Sequence, residues 1–124
     1  MRIHFVTTLV FMLAGTALAQ DARVTPLMKK ELLACPNCEV SMVTVEYPPG
    51  GTSASHRHNG QVFVYVLEGA LEMQVAGKPL VTVKAGETFY EAPEDVHAVS
   101  RNASKTASAK FVVVLITPKK PAGS

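Results

Sequence analysis

Gly51-Thr-Ser-Ala-Ser-His56-Arg-His58-Asn-Gly60-Gln-Val-Phe-Val-Tyr-Val-Leu-Glu-Gly69 is the stretch that decides how this chain of 124 residues folds. His56 and His58 are two positions apart, and in an extended strand residues i and i+2 point to one face, so both imidazoles can address one point in space. Asn59-Gly60 is a tight-turn signal. The run Gln61 to Leu67 behind it is almost unbroken in apolar character and predicts a strand buried on both faces. The remaining histidines are His97, downstream, and His4, in an N-terminal apolar stretch.

Outward from this stretch the chain reads as strands separated by turns. Upstream, Glu39 to Tyr47 is rich in β-branched and aromatic residues and is a predicted strand. Pro48-Pro49-Gly50-Gly51 ends it, and Ser53 to His58 is the next strand. Downstream, Gly69 turns the chain into Ala70 to Val75, where apolar and polar residues alternate. Gly77-Lys78-Pro79 leads to a short strand over Leu80 to Val83. Gly86 and the corner Pro93-Glu94-Asp95 bracket another strand, Val96 to Arg101 carries His97, and Phe111 to Ile116 is the last. About eight short strands at regular spacing predict an all-β jelly roll or small barrel. In such a fold, inward side chains fill the interior and one mouth can stay open to ligand.

Gly51, His56-x-His58 and Gly69, followed by Gly86, Pro93, His97 and Asn102, resemble the two motifs of the cupins, small single-domain β-barrels of the jelly-roll or double-stranded β-helix type. The resemblance covers roughly residues 39 to 117, with both motifs in the family order. It implies a divalent transition metal, whether Fe, Mn, Ni, Cu or Zn, held by His56, His58 and His97. Three imidazoles on one side of an ion leave the opposite positions free for water or substrate, the mark of a catalytic rather than a structural site.

The chain departs from the family in one respect that bears on chemistry. The family glutamate lies four or five residues after the second histidine, and here those positions are Val62 and Phe63, neither of which binds metal. Three arrangements compensate: a three-histidine site completed by water, a fourth ligand from Gln61, or a carboxylate from Glu91 or Glu46. Glu91 and Tyr90 are also the candidates for acid–base work if they point inward. The second motif has Ala92-Pro93-Glu94 where the family has Pro-x-Gly, and Arg101 then Asn102 where the family asparagine falls at the first of the two.

Residues 1–19 read as a signal peptide: Arg2, an apolar run from Phe5 to Leu13, then Ala17-Leu18-Ala19 as a cleavage site. The run is shorter than the ~18 residues that cross a bilayer. The expected protein is therefore periplasmic or secreted, and not membrane-bound after cleavage. Residues 20–38 form an N-terminal segment in which Thr25-Pro26 predicts a short helix to Leu33. Within it Cys35-Pro-Asn-Cys38 is expected to be a local disulfide in an oxidising compartment, since a thioredoxin-like pair needs a following helix and a zinc knuckle needs more ligands. Residues 118–124 form a tail.

The formal net charge is +2, with no basic stripe, which argues against nucleic acid as a partner. The expected partner is a small molecule, with homodimerisation through strand edges left open. Two functions fit: an exported metal-dependent oxidoreductase, dioxygenase-like, on a small organic substrate; or a non-catalytic cupin module that holds a small molecule or metal.

Overall fold

The computed structural model describes residues 22–120. The expected signal peptide and the final residues of the tail lie outside the described residues. Ten strands and no helix make up the described part: β1 Arg23–Glu31, β2 Cys38–Tyr47, β3 Thr52–Ser53, β4 His56–Arg57, β5 Gln61–Glu68, β6 Ala70–Val75, β7 Val81–Lys84, β8 Thr88–Glu91, β9 Val96–Asn102 and β10 Ala109–Pro118. They form two antiparallel sheets. The first has the order β1-β2-β10-β5-β8; the second has β3-β9-β6-β7, with β4 also paired to β9. This is the all-β jelly roll that the strand spacing predicts.

Alternation along the strands builds the core. Val62, Val64 and Val66 of β5 point inward and meet Leu71 and Met73 of β6, Val45 and Tyr47 of β2, and Phe111 of β10. Such a buried two-sheet interior supplies most of the hydrophobic stabilisation of a small β domain.

Three expectations are corrected. The run expected as a helix from Thr25 to Leu33 is instead strand β1, antiparallel to β2 from Arg23↔Glu46 to Glu31↔Glu39. A helix of about nine residues is marginal without packing partners, whereas the free edge of β2 offers a ladder along its whole length. Pro26, which cannot donate to a ladder, lies on an edge strand at a register shift between Pro26 and Met28, a position where proline is tolerated. Residues 23–31 of that segment thus add a strand to the first sheet, and Cys35 and Cys38 form a disulfide in the β1–β2 turn. The second correction is that β5 is buried on one face only: Phe63 and Tyr65 are 42% and 46% exposed, because no layer covers the outside of the first sheet among the described residues. In the third, the expected strand from Ser53 to His58 is two short pieces, β3 and β4, both on β9.

Gly60 fixes how the histidine loop meets the first sheet. A Cβ there would lie 2.0 Å from the carbonyl oxygen of Ile116, so only glycine lets the chain pass from β4 into β5 so close to β10.

Candidate metal centre

Strand pairing places the candidate ligands. His56 on β4 sits directly opposite His97 on β9, and His58 follows β4 by one residue. The ring centroids of His56 and His58 are 4.6 Å apart, and those of His56 and His97 are 5.0 Å apart. All three histidines expected from the sequence are therefore neighbours at one end of the interior. Glu91 comes from β8, whose register sets it opposite Val62 of β5. Val62 is one of the two positions where the family pattern places its glutamate, so the structure puts a carboxylate one strand over from that position.

The donor atoms of His56, His58 and Glu91 all lie within 4.8 Å of one another. His97 joins the group through Glu91, with Nδ1 2.6 Å from Oε1, both side chains almost fully buried. The two form a buried ion pair when His97 is protonated, and Glu91 Oε1 has no other hydrogen-bond partner among the described residues. The other ring nitrogen of His97, Nε2, lies 3.2 Å from the sulfur of Met73. A thioether accepts but never donates, so Nε2 is the donor wherever this contact is a hydrogen bond. A buried carboxylate oxygen without a hydrogen bond of good geometry, set beside three imidazoles, is stabilised by a nearby cation. The donor set therefore fits a bound metal ion.

The tautomer of His56 fits as well. Its Nδ1 is 2.8 Å from the carbonyl oxygen of Ala54, which can only accept, so Nδ1 donates and Nε2 is left free. Orientation of a ligating imidazole by a backbone carbonyl is the usual support for such a ligand. Burial, and then the neighbouring His56, holds the His58 imidazole below its ordinary value; Glu91 opposes this and His97 adds to it. Phe89 stacks on His97 at a centroid distance of 5.6 Å and 25° between planes, which fixes the ring plane.

The group opens into a cavity of about 220 Å³ between the sheets. This is smaller than the roughly 300–1,000 Å³ of pockets for drug-sized ligands. Its walls include Val43, Val64, Val113 and Leu115, with hydroxyls from Tyr47, Ser53 and Ser100. Tyr47 Oη is 2.5 Å from Ser53 Oγ and 2.7 Å from Ser100 Oγ. No Lys or Arg lines the cavity among the described residues.

Other candidates fall elsewhere. Gln61 and Tyr90 are both on the outer face of the first sheet, where Gln61 Nε2 donates to Tyr90 Oη at 2.9 Å, so neither reaches the metal group or acts as acid or base there. The cause is strand alternation: Val62 and Glu91 take the inward positions, so their neighbours face out. Glu46 likewise faces out between the inward Val45 and Tyr47. Asn102 is buried, and its amide donates to the carbonyls of Pro48 and Ala107 while its Oδ1 accepts from the backbone of Ser104. It thereby ties the end of β9 to two loops despite its shift by one from the family position. Met73 and the Tyr47–Ser53–Ser100 hydroxyls were not among the sequence candidates. Alternation marks Met73 only as core, and nothing local brings residue 47 to residue 100.

A family model described as "Cupin domain" matches residues 43–115. Comparison with curated proteins gives no match. Among solved structures, the cupin domain of Schizosaccharomyces pombe Cnp3 is similar with a TM-score of 0.65 at 18% identity, covering 77% of this chain and 61% of that one. An oxalate oxidase in complex with the substrate analogue glycolate has a TM-score of 0.62 at 27% identity, covering 82% of this chain and 53% of that one. A cupin domain from Bordetella pertussis Tohama I has a TM-score of 0.60 at 22% identity, with 77% and 93% covered. The chain thus spans less than two thirds of the first two.

Proposed function

The chain belongs to the cupin domain family, and from that premise we propose that it holds one divalent transition-metal ion and acts on a small organic molecule as a dioxygenase-like oxidoreductase. The ligands in this reading are His56, His58 and Glu91, with His97 as the fourth. One observation carries it: the buried Glu91 Oε1, without a hydrogen-bond partner beside three imidazoles. Glu91 also supplies the negative charge that the three-histidine set lacks, which lowers the cost of a dication in a mostly apolar interior.

When bound, the metal supplies a Lewis acid and a redox centre. The chain's own part is to shape and dry the site. His56 and His97 are oriented by Ala54 and Met73, and Phe89 blocks rotation of the His97 ring. The valine-lined wall excludes water and selects a compact apolar body, and the Tyr47–Ser53–Ser100 hydroxyls offer a hydrogen-bonding patch to a polar group. Without a cationic side chain in the cavity, a neutral or singly charged substrate fits better than a dianion. The similarity to an oxalate oxidase supports oxygen-dependent chemistry on a small oxygenated molecule but does not carry over its substrate.

A second reading is favoured by a specific observation. Glu91 is engaged in the metal group and Tyr90 faces out, so among the described residues no further carboxyl or imidazole lines the cavity to move protons. A non-catalytic module that holds metal and a small ligand satisfies the same geometry. Oxygen uptake by metal-replete protein against a panel of small hydroxy, enol and carboxylic compounds separates the two. Turnover that is lost in His56→Ala supports the enzyme; stoichiometric metal with no uptake supports the module.

The protein in this proposal is exported, with residues 1–19 removed. The Cys35–Cys38 disulfide supports an oxidising compartment. N-terminal sequencing of the protein from its native source should begin at Gln20; a chain retaining Met1 would contradict export by this signal.

A further inference from the structure

We infer that the cavity is built for a short monocarboxylate with a second, uncharged carbonyl oxygen at its far end, and that the hydroxyls of Tyr47, Ser53 and Ser100 recognise that oxygen. The inference rests on the metal-binding reading above and names the substrate class of that same site. Two rungs of the second sheet set two poles in the cavity. Ser53 pairs with Ser100, and His56 pairs with His97. Residues 97 and 100 are an odd number apart and would face opposite sides of a regular strand. Val99 pairs with Gln74 and His97 with Val75, so Ala98 is the extra residue of a β-bulge, and both His97 and Ser100 turn inward and are buried. Their partners on β6, Val75 and Met73, are two residues apart, which sets the poles roughly 7 Å from each other.

The hydroxyl pole holds one proton more than it can use. Its three hydroxyls carry three protons but make two contacts, from Tyr47 Oη to Ser53 Oγ at 2.5 Å and to Ser100 Oγ at 2.7 Å. Each contact consumes one proton, and these three oxygens meet no other partner among the described residues. One O–H is therefore left over whichever way the hydroxyls turn, and all three side chains line the cavity. Such a donor is satisfied when an acceptor atom of a ligand enters. Between the poles the wall is apolar, with Val45, Val64, Phe111 and Val113. At the histidine pole a dication beside Glu91 keeps one positive charge, which a single carboxylate neutralises, and zero net charge costs least in an apolar cavity. A second carboxylate at the hydroxyl pole would meet no cation, since no Lys or Arg lines the cavity among the described residues. An uncharged carbonyl takes the spare proton without that cost. The volume of about 220 Å³ equals roughly seven waters, room for a chain of about five carbons.

The probes 4-oxopentanoate and pentanoate differ only in that carbonyl oxygen. Their affinities, measured by NMR titration of zinc-treated and of chelator-stripped protein, test the inference. The wild type should bind the oxo acid at least about 10-fold tighter than pentanoate in both forms. In Tyr47→Phe/Ser53→Ala/Ser100→Ala the order should reverse, with the oxo acid at least about 5-fold the weaker, because its carbonyl then enters an apolar wall unpaired. Removing the three hydroxyls together orphans no donor, so the variant should keep its circular dichroism. If it does not fold, the wild-type ratio decides alone. A wild-type ratio near one, or a ratio that survives in the triple variant, would overturn the inference. If zinc changes neither affinity while the ratio persists and reverses as expected, the hydroxyl pole stands and the metal reading alone falls.

Discussion

Glu91 brings a carboxylate into a nearly dry interior and leaves one oxygen without a hydrogen bond. In the metal-free protein the only group beside that oxygen among the described residues is the His97 ring nitrogen; a bound dication would add a strong attraction. Glu91→Gln should therefore have opposite effects on the two states. The metal-free variant should be more stable than wild type by about 1–3 kcal/mol in urea unfolding, while its metal affinity falls at least about 100-fold by calorimetric titration. His58 gives a pH signature. Its imidazole is held below the ordinary value of 6.5 by burial first and His56 second, so between that lowered value and 6.5 the unfolded chain binds more protons. Stability is then fully present above pH 6.5 and falls as the pH drops through that window. Metal-free His58→Gln should lose less urea resistance than wild type between about pH 7.5 and pH 5.5. His56 and His58 were legible in the sequence because spacing by two on a strand fixes a shared face, and His97 through its place in the second family motif. Glu91 was legible only as one of two candidate carboxylates, with Glu46, since its position follows from the β5–β8 register and from no local pattern.

Strand β1 shows where local pattern gives way to tertiary pairing. Thr25-Pro26 has the chemistry of a helix start, but the edge of β2 satisfies the backbone of Arg23–Glu31 along its length, and pairing overrides propensity. The short disulfide beyond it adds little to this. With a separation of three residues, chain-entropy reasoning gives about 2 kcal/mol at most, and the hairpin has its own ladder. The Cys35→Ser/Cys38→Ser variant should keep its circular dichroism and lose about 1–2 kcal/mol in chemical unfolding. Gly60 is less forgiving. Gly60→Ala places a methyl against the Ile116 carbonyl at 2.0 Å, so β10 or the His58 loop must move. The expected outcome is a loss of about 2–4 kcal/mol in stability, together with weaker metal binding in the same titration.

At the scale of the molecule, the jelly roll was legible because turn residues punctuate a succession of short strands. The apolar run of β5 was misread because periodicity reports which residues are apolar and not whether a second layer lies over them. The double burial expected for Phe63 and Tyr65 would need a covering layer that the described single chain does not supply. The candidate metal centre joins both sheets: His56 on β4 and His58 just after it come from the second, with His97 of β9 beside them, and Glu91 of β8 comes from the first. Its central claim is that Glu91 stands in for a glutamate that this chain lacks at Val62, its cross-strand partner. Calorimetric titration of chelator-stripped protein with a divalent metal, on Glu91→Val and on Val62→Glu/Glu91→Val, tests this most directly. The account predicts one ion per wild-type chain, at least about 100-fold weaker binding in the single variant, and recovery to within about 10-fold when the carboxylate crosses to β5. Undiminished binding by Glu91→Val, or no stoichiometric binding by the wild type, would contradict it.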